Sequence, residues 1–192
     1  MSPPGDIGDD LGAQQGSGLV YIGLGSNEGD REAKLVAALR ALAHIDAASV
    51  VGCSSLYESA PVGPPQARYL NAVVALECDL PPQRLLGILK QIERDLGRAP
   101  PGPGAERWGP RPIDLDILLW DGVVVADPNL QVPHLELHKR RFALEPLCEV
   151  APEVLHPVLG ETVQHLLRQL SPQDVQRHEA TQWPEAPPPS EQ

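Results

Sequence analysis

Residues 107–118 read Arg-Trp-Gly-Pro-Arg-Pro-Ile-Asp-Leu-Asp-Ile-Leu and run from a polar loop into an apolar strand. Side chains alternate between the two faces of a strand, so Asp114 and Asp116 point the same way and lie roughly 6–7 Å apart. The aliphatic residues around them point the other way, towards a core. A bare Asp-x-Asp pair is explained equally well by a solvated strand face. However, aspartate is poor in strands, and the tryptophan and Gly-Pro turn before this pair favour a functional site.

Two arginines accompany the carboxylate pair. Arg107 and Arg111 shortly precede Asp114, so their guanidinium groups can reach the same strand end. Paired carboxylates hold Mg²⁺, the ion bridges phosphate oxygens, and arginine neutralises the remaining charge. The stretch therefore predicts a site for Mg²⁺ and a polyphosphate.

Hydrophobic patterns before this stretch predict an α+β fold. A helix N-capped by Asp30 follows the first strand. A second helix, opened by Pro81 and Pro82 and stopped by Gly97, precedes the strand with the aspartates. The order β-α-β-β-α-β is the ferredoxin-like arrangement, an antiparallel sheet with the helices packed on one face. The four strands are predicted at 19–24, 49–57, 69–78 and 113–120.

Smaller elements are predicted beyond this core. Asp121 and Gly122 favour a hairpin turn that returns the chain through residues 123–125. Short helices are expected near residues 138–143 and 162–170. The fold is therefore a ferredoxin-like core with a C-terminal hairpin and short helices.

Both ends of the chain lack hydrophobic periodicity. Residues 1–17 are rich in Gly, Asp, Pro and Gln, and residues 172–192 are polar, acidic and Pro-rich. Both segments are predicted to be disordered, which leaves one domain at residues 18–171. Deleting both ends is expected to leave activity largely intact.

The composition excludes several classes of protein. A net charge of −11 at pH 7 argues against a general nucleic-acid binder. No apolar run approaches the ~20 residues that span a bilayer, and the first residues lack the basic start and apolar stretch of a secretory signal. Cys53, Cys78 and Cys148 lack Cys-x-x-Cys spacing and are expected to be buried thiols in a reducing compartment. The sequence predicts a cytoplasmic protein without a membrane partner.

Three further patterns are ambiguous when taken alone. Residues 23–29 have the spacing G-x-G-x-x-x-G, which differs from the dinucleotide-binding G-x-G-x-x-G and favours a tight strand-to-helix turn. Tyr69 and Asn71 share one strand face and could stack on and hydrogen-bond a flat heterocycle, although ordinary strand residues are the simpler interpretation. His134 and His138 are spaced for a metal, but no third ligand is apparent, so a phosphate or surface role is favoured.

Together these motifs resemble those of the 6-hydroxymethyl-7,8-dihydropterin pyrophosphokinase family, over roughly residues 19–170. The run Arg-Trp-Gly-Pro-Arg-x-x-Asp-Leu-Asp is the most specific part of the match. The matching stretches are residues 21–27, 54–57, 69–71, Glu93, 97–98, 107–116 and 132–134, with Arg140 and Phe142. The resemblance implies an ATP- and Mg-dependent diphosphotransferase of tetrahydrofolate biosynthesis. Such an enzyme moves the β,γ-pyrophosphoryl group of ATP to the pterin hydroxymethyl group and releases AMP.

The resemblance also implies roles for the matching residues. Asp114 and Asp116 would ligate two Mg²⁺ ions that bridge the ATP phosphates and the attacking hydroxyl. The catalytic arginines would be Arg98, Arg107 and Arg111. ATP would contact Glu93, Arg98, Arg107, Ile117, His134 and Arg140. The pterin would contact Ser59, Ala60, Val62, Tyr69, Asn71, Trp108 and Phe142, with Trp108 closing over the pocket. ATP and 6-hydroxymethyl-7,8-dihydropterin would be the partners of a monomeric enzyme.

The chain departs from the family pattern in the loop that precedes the aspartates. Pro100 stands where the family commonly has another arginine, and the Pro/Gly-rich residues 99–105 look a few residues longer than usual. Leu135 follows the histidine where the family can have an aromatic residue. The loop at 98–112 is expected to be mobile in the free enzyme and to close over bound substrates.

Two other functions remain alternatives at this stage. A nucleotide hydrolase could use the same metal pair, but it would leave Tyr69, Asn71, Trp108 and Phe142 without a role. A ferredoxin-like regulatory or RNA-binding module is opposed by the acidic charge and by the low aromatic content of 4%. Formation of AMP from Mg-ATP and the pterin distinguishes all three functions.

Overall fold

The structure, a computed structural model, describes residues 18–99 and 109–184. The core follows the order β1 (Gly18–Ser26), α1 (Arg31–Ala43), β2 (Ala48–Cys53), β3 (Leu56–Ser59), β4 (Tyr69–Cys78), α2 (Pro82–Asp95) and β5 (Asp114–Trp120). The C-terminal part adds β6 (Val125–Asp127), β7 (Leu130–Val132), a 3₁₀ turn (Leu137–Lys139), α3 (Arg141–Val150), β8 (Leu155–His156), β9 (Glu161–Thr162), α4 (Val163–Gln169) and β10 (Val175–His178).

The core strands form one antiparallel sheet. β1 lies between β4 and β5, and the other edge of β4 pairs with both β2 and β3. β10 extends the sheet beyond β3. The predicted ferredoxin-like fold, with two helices between the core strands, is confirmed.

The start of α1 and both ends of α2 follow the predicted signals. The Oδ1 atom of Asp30 accepts a hydrogen bond from the N–H of Ala33 at 3.0 Å and caps α1. α2 begins at Pro82, where a missing N–H costs nothing. Gly97, with φ +99°, adopts the left-handed conformation that ends the helix.

The sheet separates two hydrophobic layers. α1 and α2 pack on one face, against alternate residues of β1, β4 and β5 such as Ile22, Val74 and Leu115. α3 and α4 pack on part of the other face, against Tyr21 and Val73. The remainder of that second face, beside the start of α3, is left open and forms a cavity.

The strand predicted at 49–57 consists of two strands. Ser54, between them, donates its N–H to the carbonyl of Val73 at 2.9 Å, and its Oγ accepts from the N–H of Val73, also at 2.9 Å. A side-chain oxygen thus takes the place of a backbone carbonyl where the ladder is interrupted. Ser54 and Leu56 are both buried, so the break leaves the inward-facing positions in step and depends on the contact with β4.

The predicted return strand at 123–125 is wrong. Gly122, with φ +68°, lies in the predicted turn, but the chain then continues to β6, which pairs with β7 rather than with β5. The carboxylate of Asp127 accepts from the N–H of Asn129 at 2.8 Å and stabilises the β6–β7 turn. The hairpin therefore forms one turn later than predicted.

The prediction of a disordered C-terminal end is wrong for residues 172–184, here called the C-terminal strap. Its β10 pairs with β3, and Trp183 is only 7% exposed within the core. The indole Nε1–H of Trp183 donates to the carbonyl of Ser54 at 2.7 Å. The Glu32 carboxylate accepts hydrogen bonds from three backbone N–H groups, those of Thr181, Gln182 and Trp183. These contacts all join residues distant in sequence, so local patterns do not predict them.

The two ends at 1–17 and 185–192, which are also predicted to be disordered, lie outside the described residues.

We expect Trp183→Ala to destabilise the protein by about 3 kcal/mol, because it removes a large buried side chain and its hydrogen bond. The melting temperature should fall by roughly 6–12 °C. Trp183→Phe keeps most of the packing and should cost about 1 kcal/mol. Thermal unfolding of both variants followed by circular dichroism measures the difference, and an unchanged melting temperature for Trp183→Ala would mean that the strap is not anchored.

Deletion of the strap should likewise destabilise the protein. This differs from the expectation, drawn from the sequence, that both ends of the chain are disordered and dispensable.

In the part of the chain that the structure describes, no helix combines the length and the apolar character needed to cross a membrane.

Candidate active site

The cavity on the second face of the sheet has a volume of about 260 Å³. It brings together two groups of residues that the sequence analysis singled out separately. The group expected to bind the pterin contributes Ser59, Ala60, Val62, Tyr69, Asn71 and Phe142. The group expected to bind metal and phosphate contributes Arg111, Asp114, Asp116, His134 and Arg140. One continuous space is therefore lined at one end by carboxylates and cations and at the other by an amide and aromatic rings.

Two glycines of β1 keep the space beside the aspartates open. The strand register pairs Gly23 with Asp116 and Gly25 with Asp114. A Cβ atom at Gly23 would lie 3.0 Å from a methyl carbon of Leu118, and one at Gly25 would fill the cavity wall beside Asn71. The turn predicted for residues 23–29 begins only after β1, so both glycines belong to the strand.

Asp114 is paired with two arginines. Its carboxylate accepts hydrogen bonds from Arg98 and, at 2.6 Å, from Arg111. Burial alone would raise the pKa of Asp114, but the guanidinium groups of Arg111 and Arg98 hold it below its usual value. Asp114 is therefore an anion at neutral pH and fixes both arginines at the edge of the cavity.

Asp116 differs from Asp114 in its partners and in the direction of its pKa shift. No hydrogen bond or ion pair joins its carboxylate to the residues at 18–99 and 109–184, although it faces the same cavity. Burial, reinforced by the charge of Asp114, raises the pKa of Asp116. Its oxygen atoms are thus available to a cation, and a cation would relieve the repulsion between the two carboxylates.

This pair fits Mg²⁺. Mg²⁺ binds oxygen ligands and commonly uses one or two carboxylates together with water and substrate phosphates, rather than a cage of protein ligands. Within the described residues no group of three or more His, Cys, Asp or Glu side chains is arranged around a metal position. The donor set of Asp114 and Asp116 therefore suits an ion that arrives with a phosphate substrate.

His134 and Arg140 line the same cavity as the aspartates. The Nδ1 atom of His134 accepts from the N–H of Glu136 at 3.1 Å, and Nε2 lies 3.4 Å from a guanidinium nitrogen of Arg140. Burial lowers the pKa of His134, although the charge of Asp116 opposes the shift, so the imidazole is neutral at pH 7. The Arg140 guanidinium also lies 5.8 Å from the ring centroid of Phe142 and links the two ends of the cavity.

Asn71 is held rigidly at the other end of the cavity. It is buried, and its Nδ2 atom donates to the Oγ of Ser59 at 3.0 Å and to the carbonyl of Tyr57 at 3.2 Å. Tyr69 lies two residues away on the same face of β4. A fixed amide beside an aromatic ring can read the edge and the face of a flat heterocycle.

Comparison with known proteins identifies the family. The family model described as 7,8-dihydro-6-hydroxymethylpterin-pyrophosphokinase matches residues 21–152. The chain belongs to this family. Its reaction is the transfer of a pyrophosphoryl group from ATP to hydroxymethyldihydropterin in folate synthesis. The resemblance drawn from the sequence motifs is therefore confirmed.

Curated relatives support the same conclusion. The 2-amino-4-hydroxy-6-hydroxymethyldihydropteridine pyrophosphokinase of Methylorubrum extorquens is 41% identical over 161 residues, which cover 83% of this chain and 98% of the relative. The enzyme of the same name from Haemophilus influenzae is 40% identical over 139 residues, covering 72% and 84% of the two chains.

Solved structures show the same fold at lower identity. The crystal structure of wild-type Plasmodium falciparum HPPK-DHPS with pteroate superposes with a TM-score of 0.61 at 15% identity. The match covers 79% of this chain and 44% of that chain, so the present chain spans less than half of the Plasmodium protein. At this identity the likeness concerns the fold.

The side chains of two residues expected to contact ATP do not face the cavity. Glu93 is only 2% exposed and lies beneath Asp114, where it accepts from the N–H of Leu115 at 2.7 Å and from Arg98 at 2.5 Å. Ile117 packs with α1 and α2 in the core because it lies on the opposite strand face from Asp116. The structure thus places both side chains away from the cavity lining, and Glu93 holds Arg98 and the N–H of Leu115 on β5.

Asn27, to which the sequence pattern assigns no role, connects the two ends of the site in this pyrophosphokinase. Its Oδ1 atom accepts from the N–H of Arg111 at 2.8 Å, and its Nδ2 atom donates to the side chain of Gln66 and the carbonyl of Ala67 at 2.9 and 3.2 Å. Asn27 is 3% exposed. One side chain thus joins the segment before Asp114 to the loop before β4. The residue stood in the matched motif at 21–27, but its partners are remote in sequence.

Two predicted site residues lie outside the described residues. They are Arg107 and Trp108, which belong to residues 100–108. The expected closure of the loop at 98–112 falls largely on the same residues. Pro100, the departure from the family pattern, lies there as well.

Proposed function

We propose that this pyrophosphokinase binds Mg-ATP at the carboxylate and cation end of the cavity and binds 6-hydroxymethyl-7,8-dihydropterin at the Tyr69 and Asn71 end. The observation that carries this assignment is the single cavity that joins the two ends. The pterin hydroxyl and the phosphate chain would meet between them, beside Asp114 and Asp116. Holding both reactants in one geometry is the main source of acceleration in phosphoryl transfer.

Asp114 and Asp116 would hold the Mg²⁺ ions, of which two are expected. Bound Mg²⁺ supplies positive charge that bridges phosphate oxygens and neutralises the charge of the transferring group. The contrast between the two carboxylates supports this assignment. Asp114 is an arginine-paired anion, whereas Asp116 has no partner among the described residues and gains most from a cation.

The cationic residues would bind and orient the phosphate chain. Arg98 and Arg111 are held beside the metal position by Asp114, and Arg140 lines the same cavity. Neutral His134 would serve as a hydrogen-bonding group rather than as a cation. Arg107 would add a further guanidinium group, as the family motif implies. Charges fixed in advance stabilise a transferring phosphoryl group without reorganisation during the reaction.

The pterin would lie between aromatic rings and against the fixed amide. Tyr69 and Phe142 line the cavity around Asn71, and the backbone around Ser59, Ala60 and Val62 lies along its rim. Trp108 would close the pocket and exclude water, which otherwise competes with the pterin hydroxyl.

We expect purified protein, Mg-ATP and 6-hydroxymethyl-7,8-dihydropterin to yield AMP and pterin pyrophosphate in equal amounts. Chromatography of the nucleotides and pterins measures both products. Omission of the pterin is the control and should abolish ATP consumption. Production of ADP, or loss of ATP without pterin, would favour the hydrolase alternative and overturn the assignment.

We also propose a cellular setting and an oligomeric state. Cys53, Cys78 and Cys148 are free thiols, which is compatible with a reducing compartment, the cytoplasm. Both substrates would enter one cavity built from a single chain, so we propose a monomeric enzyme with small-molecule partners.

A further inference from the structure

The C-terminal strap reaches both walls of the proposed pterin pocket. The strap, residues 172–184, lies beyond residues 21–152 that match the family model. One wall is the substrate loop, residues 60–68, which joins β3 to β4 and carries Ala60 and Val62. The other wall is the start of α3, which carries Phe142.

Asp174 of the strap holds both ends of the substrate loop. Its backbone carbonyl accepts from the N–H of Ala60 at 3.1 Å, where the loop begins. Its carboxylate accepts two hydrogen bonds from the guanidinium group of Arg68, at 2.6 and 2.9 Å, where the loop ends. A single residue therefore closes the loop, and two parallel hydrogen bonds from one guanidinium group fix orientation as well as distance.

The Arg68–Asp174 pair belongs to a larger network. Glu58 of β3 accepts from Arg68 at 3.1 Å and from Arg31 of α1 at 2.8 Å, and Arg31 also donates to the carbonyl of Arg68 at 2.9 Å. Exposed ion pairs taken singly contribute little, but networks with two-point arginine geometry contribute more. The end of the loop is thus connected through Glu58 to the first turn of α1.

Gln173, the residue before Asp174, holds the opposite wall. Its Oε1 atom accepts from the N–H of Arg141 at 3.0 Å, and its Nε2 atom donates to the carbonyl of Lys139 at 2.9 Å. These two groups flank Arg140 and lie immediately before Phe142. Two consecutive strap residues therefore connect the two walls of the cavity to each other, while β10 and Trp183 anchor the strap.

We propose that Gln173 and Asp174 are positioning residues for pterin recognition, which set the distance between the substrate loop and the start of α3. The inference rests on the proposed pterin pocket. Neither residue lines the cavity, so each acts through the wall that it holds. Their loss should raise the cost of ordering the pocket when the pterin binds. Asp174 contacts the substrate loop, whereas Gln173 also flanks Arg140 of the cation end, so Asp174→Asn is the variant that should leave ATP binding unchanged.

The test compares Asp174→Asn, Gln173→Ala and the double variant with matched controls on the same surface. Glu179→Gln removes one negative charge from the strap without touching either wall, and Gln169→Ala removes an exposed glutamine from α4. Initial rates are measured with pterin varied at saturating Mg-ATP and with ATP varied at saturating pterin. Melting temperatures report the integrity of the fold.

We expect each single variant to raise the KM for the pterin about three- to tenfold and the double variant to raise it further. The KM for ATP should change by less than about twofold in Asp174→Asn, and the controls should behave as wild type. Asn71→Ala, inside the pocket, should raise the KM for the pterin more than any strap variant.

Three results would overturn the inference. In the first, Asn71→Ala raises the KM for the pterin but the strap variants have the same KM as Glu179→Gln. That result would show that the strap does not position the pocket, and the assignment of the pocket to the pterin would remain. An unchanged KM for the pterin in Asn71→Ala would reject the pocket and the inference together. Equal increases in KM for both substrates in Asp174→Asn, with a lower melting temperature, would indicate a purely structural role.

Discussion

Asp116→Ala is expected to lower kcat by about three orders of magnitude or more while the fold remains intact. Its carboxylate forms no hydrogen bond or ion pair with residues 18–99 and 109–184, so its removal leaves no described donor without a partner. The variant loses a ligand for Mg²⁺ and leaves one carboxylate where two faced the cavity. The melting temperature should therefore be unchanged, or should rise slightly as repulsion with Asp114 is removed.

Asp114→Ala should give a comparable loss of kcat with a measurable loss of stability. Here the substitution leaves Arg98 and Arg111 without their shared acceptor at a partly buried position. Titration of kcat with Mg²⁺ and thermal unfolding of both variants separate the two effects. Asp121→Ala, an exposed aspartate next to the end of β5, is the control. Near-normal activity of Asp116→Ala at limiting Mg²⁺ would show that the carboxylate does not bind the metal.

The part of the fold that follows from the sequence is the part encoded by local signals. Asp30, Pro82 and Gly97 act within one helical turn of their own positions, so the start of α1 and both ends of α2 follow from the sequence. The strand with Asp114 and Asp116 was predicted because its alternation separates a core face from a polar face. These elements determine the order of the core unit and hence the fold.

The errors in the fold arise where a contact joins distant parts of the chain. The C-terminal strap has no hydrophobic periodicity, and its order depends on pairing with β3 and on the contact of Trp183 with Ser54. Only tertiary structure provides these partners. The interrupted strand at Ser54 was missed for the same reason, since its hydroxyl bonds to Val73 on another strand.

The sequence predicts most of the residues that line the site but not the buried residues that hold them in place. Motif order placed Tyr69, Asn71 and Phe142 in one group and Asp114 and Asp116 in another, and the structure brings both groups to one cavity. A sequence motif does not indicate which of its residues line the cavity and which lie buried beneath the lining. Asn27 and Glu93 show this limit, because both are buried and act on other site residues.

Glu93→Ala is expected to lower both stability and kcat. The Glu93 carboxylate lies almost fully buried beneath Asp114 and accepts from Lys90 at 2.9 Å, from Arg98 and from the N–H of Leu115. Removing one partner of a buried ion pair costs about 3–5 kcal/mol, because the remaining charge and the backbone N–H lose their acceptor. Arg98 would also lose one of its two carboxylate partners. Because small displacements of positioning groups can cost about 10² in rate, we expect kcat to fall by roughly that factor.

Graded substitutions separate the charge of Glu93 from its hydrogen bond to β5. Glu93→Gln keeps an acceptor for the N–H of Leu115 but loses the negative charge, so it should retain more stability than Glu93→Ala while still releasing Arg98. Lys90→Met removes the more exposed partner, whose side chain is 37% exposed, and leaves the Arg98 contact intact. That variant should lower the free energy of unfolding by less than about 1 kcal/mol and leave kcat near wild type.

Chemical denaturation gives the free energy of unfolding, and kcat is measured at saturating substrates. If Glu93→Ala matched Lys90→Met in both measurements, Glu93 would be a buried group without influence on Arg98 or β5. If kcat fell in Glu93→Ala but not in Glu93→Gln, its effect would pass through β5 rather than through the arginine.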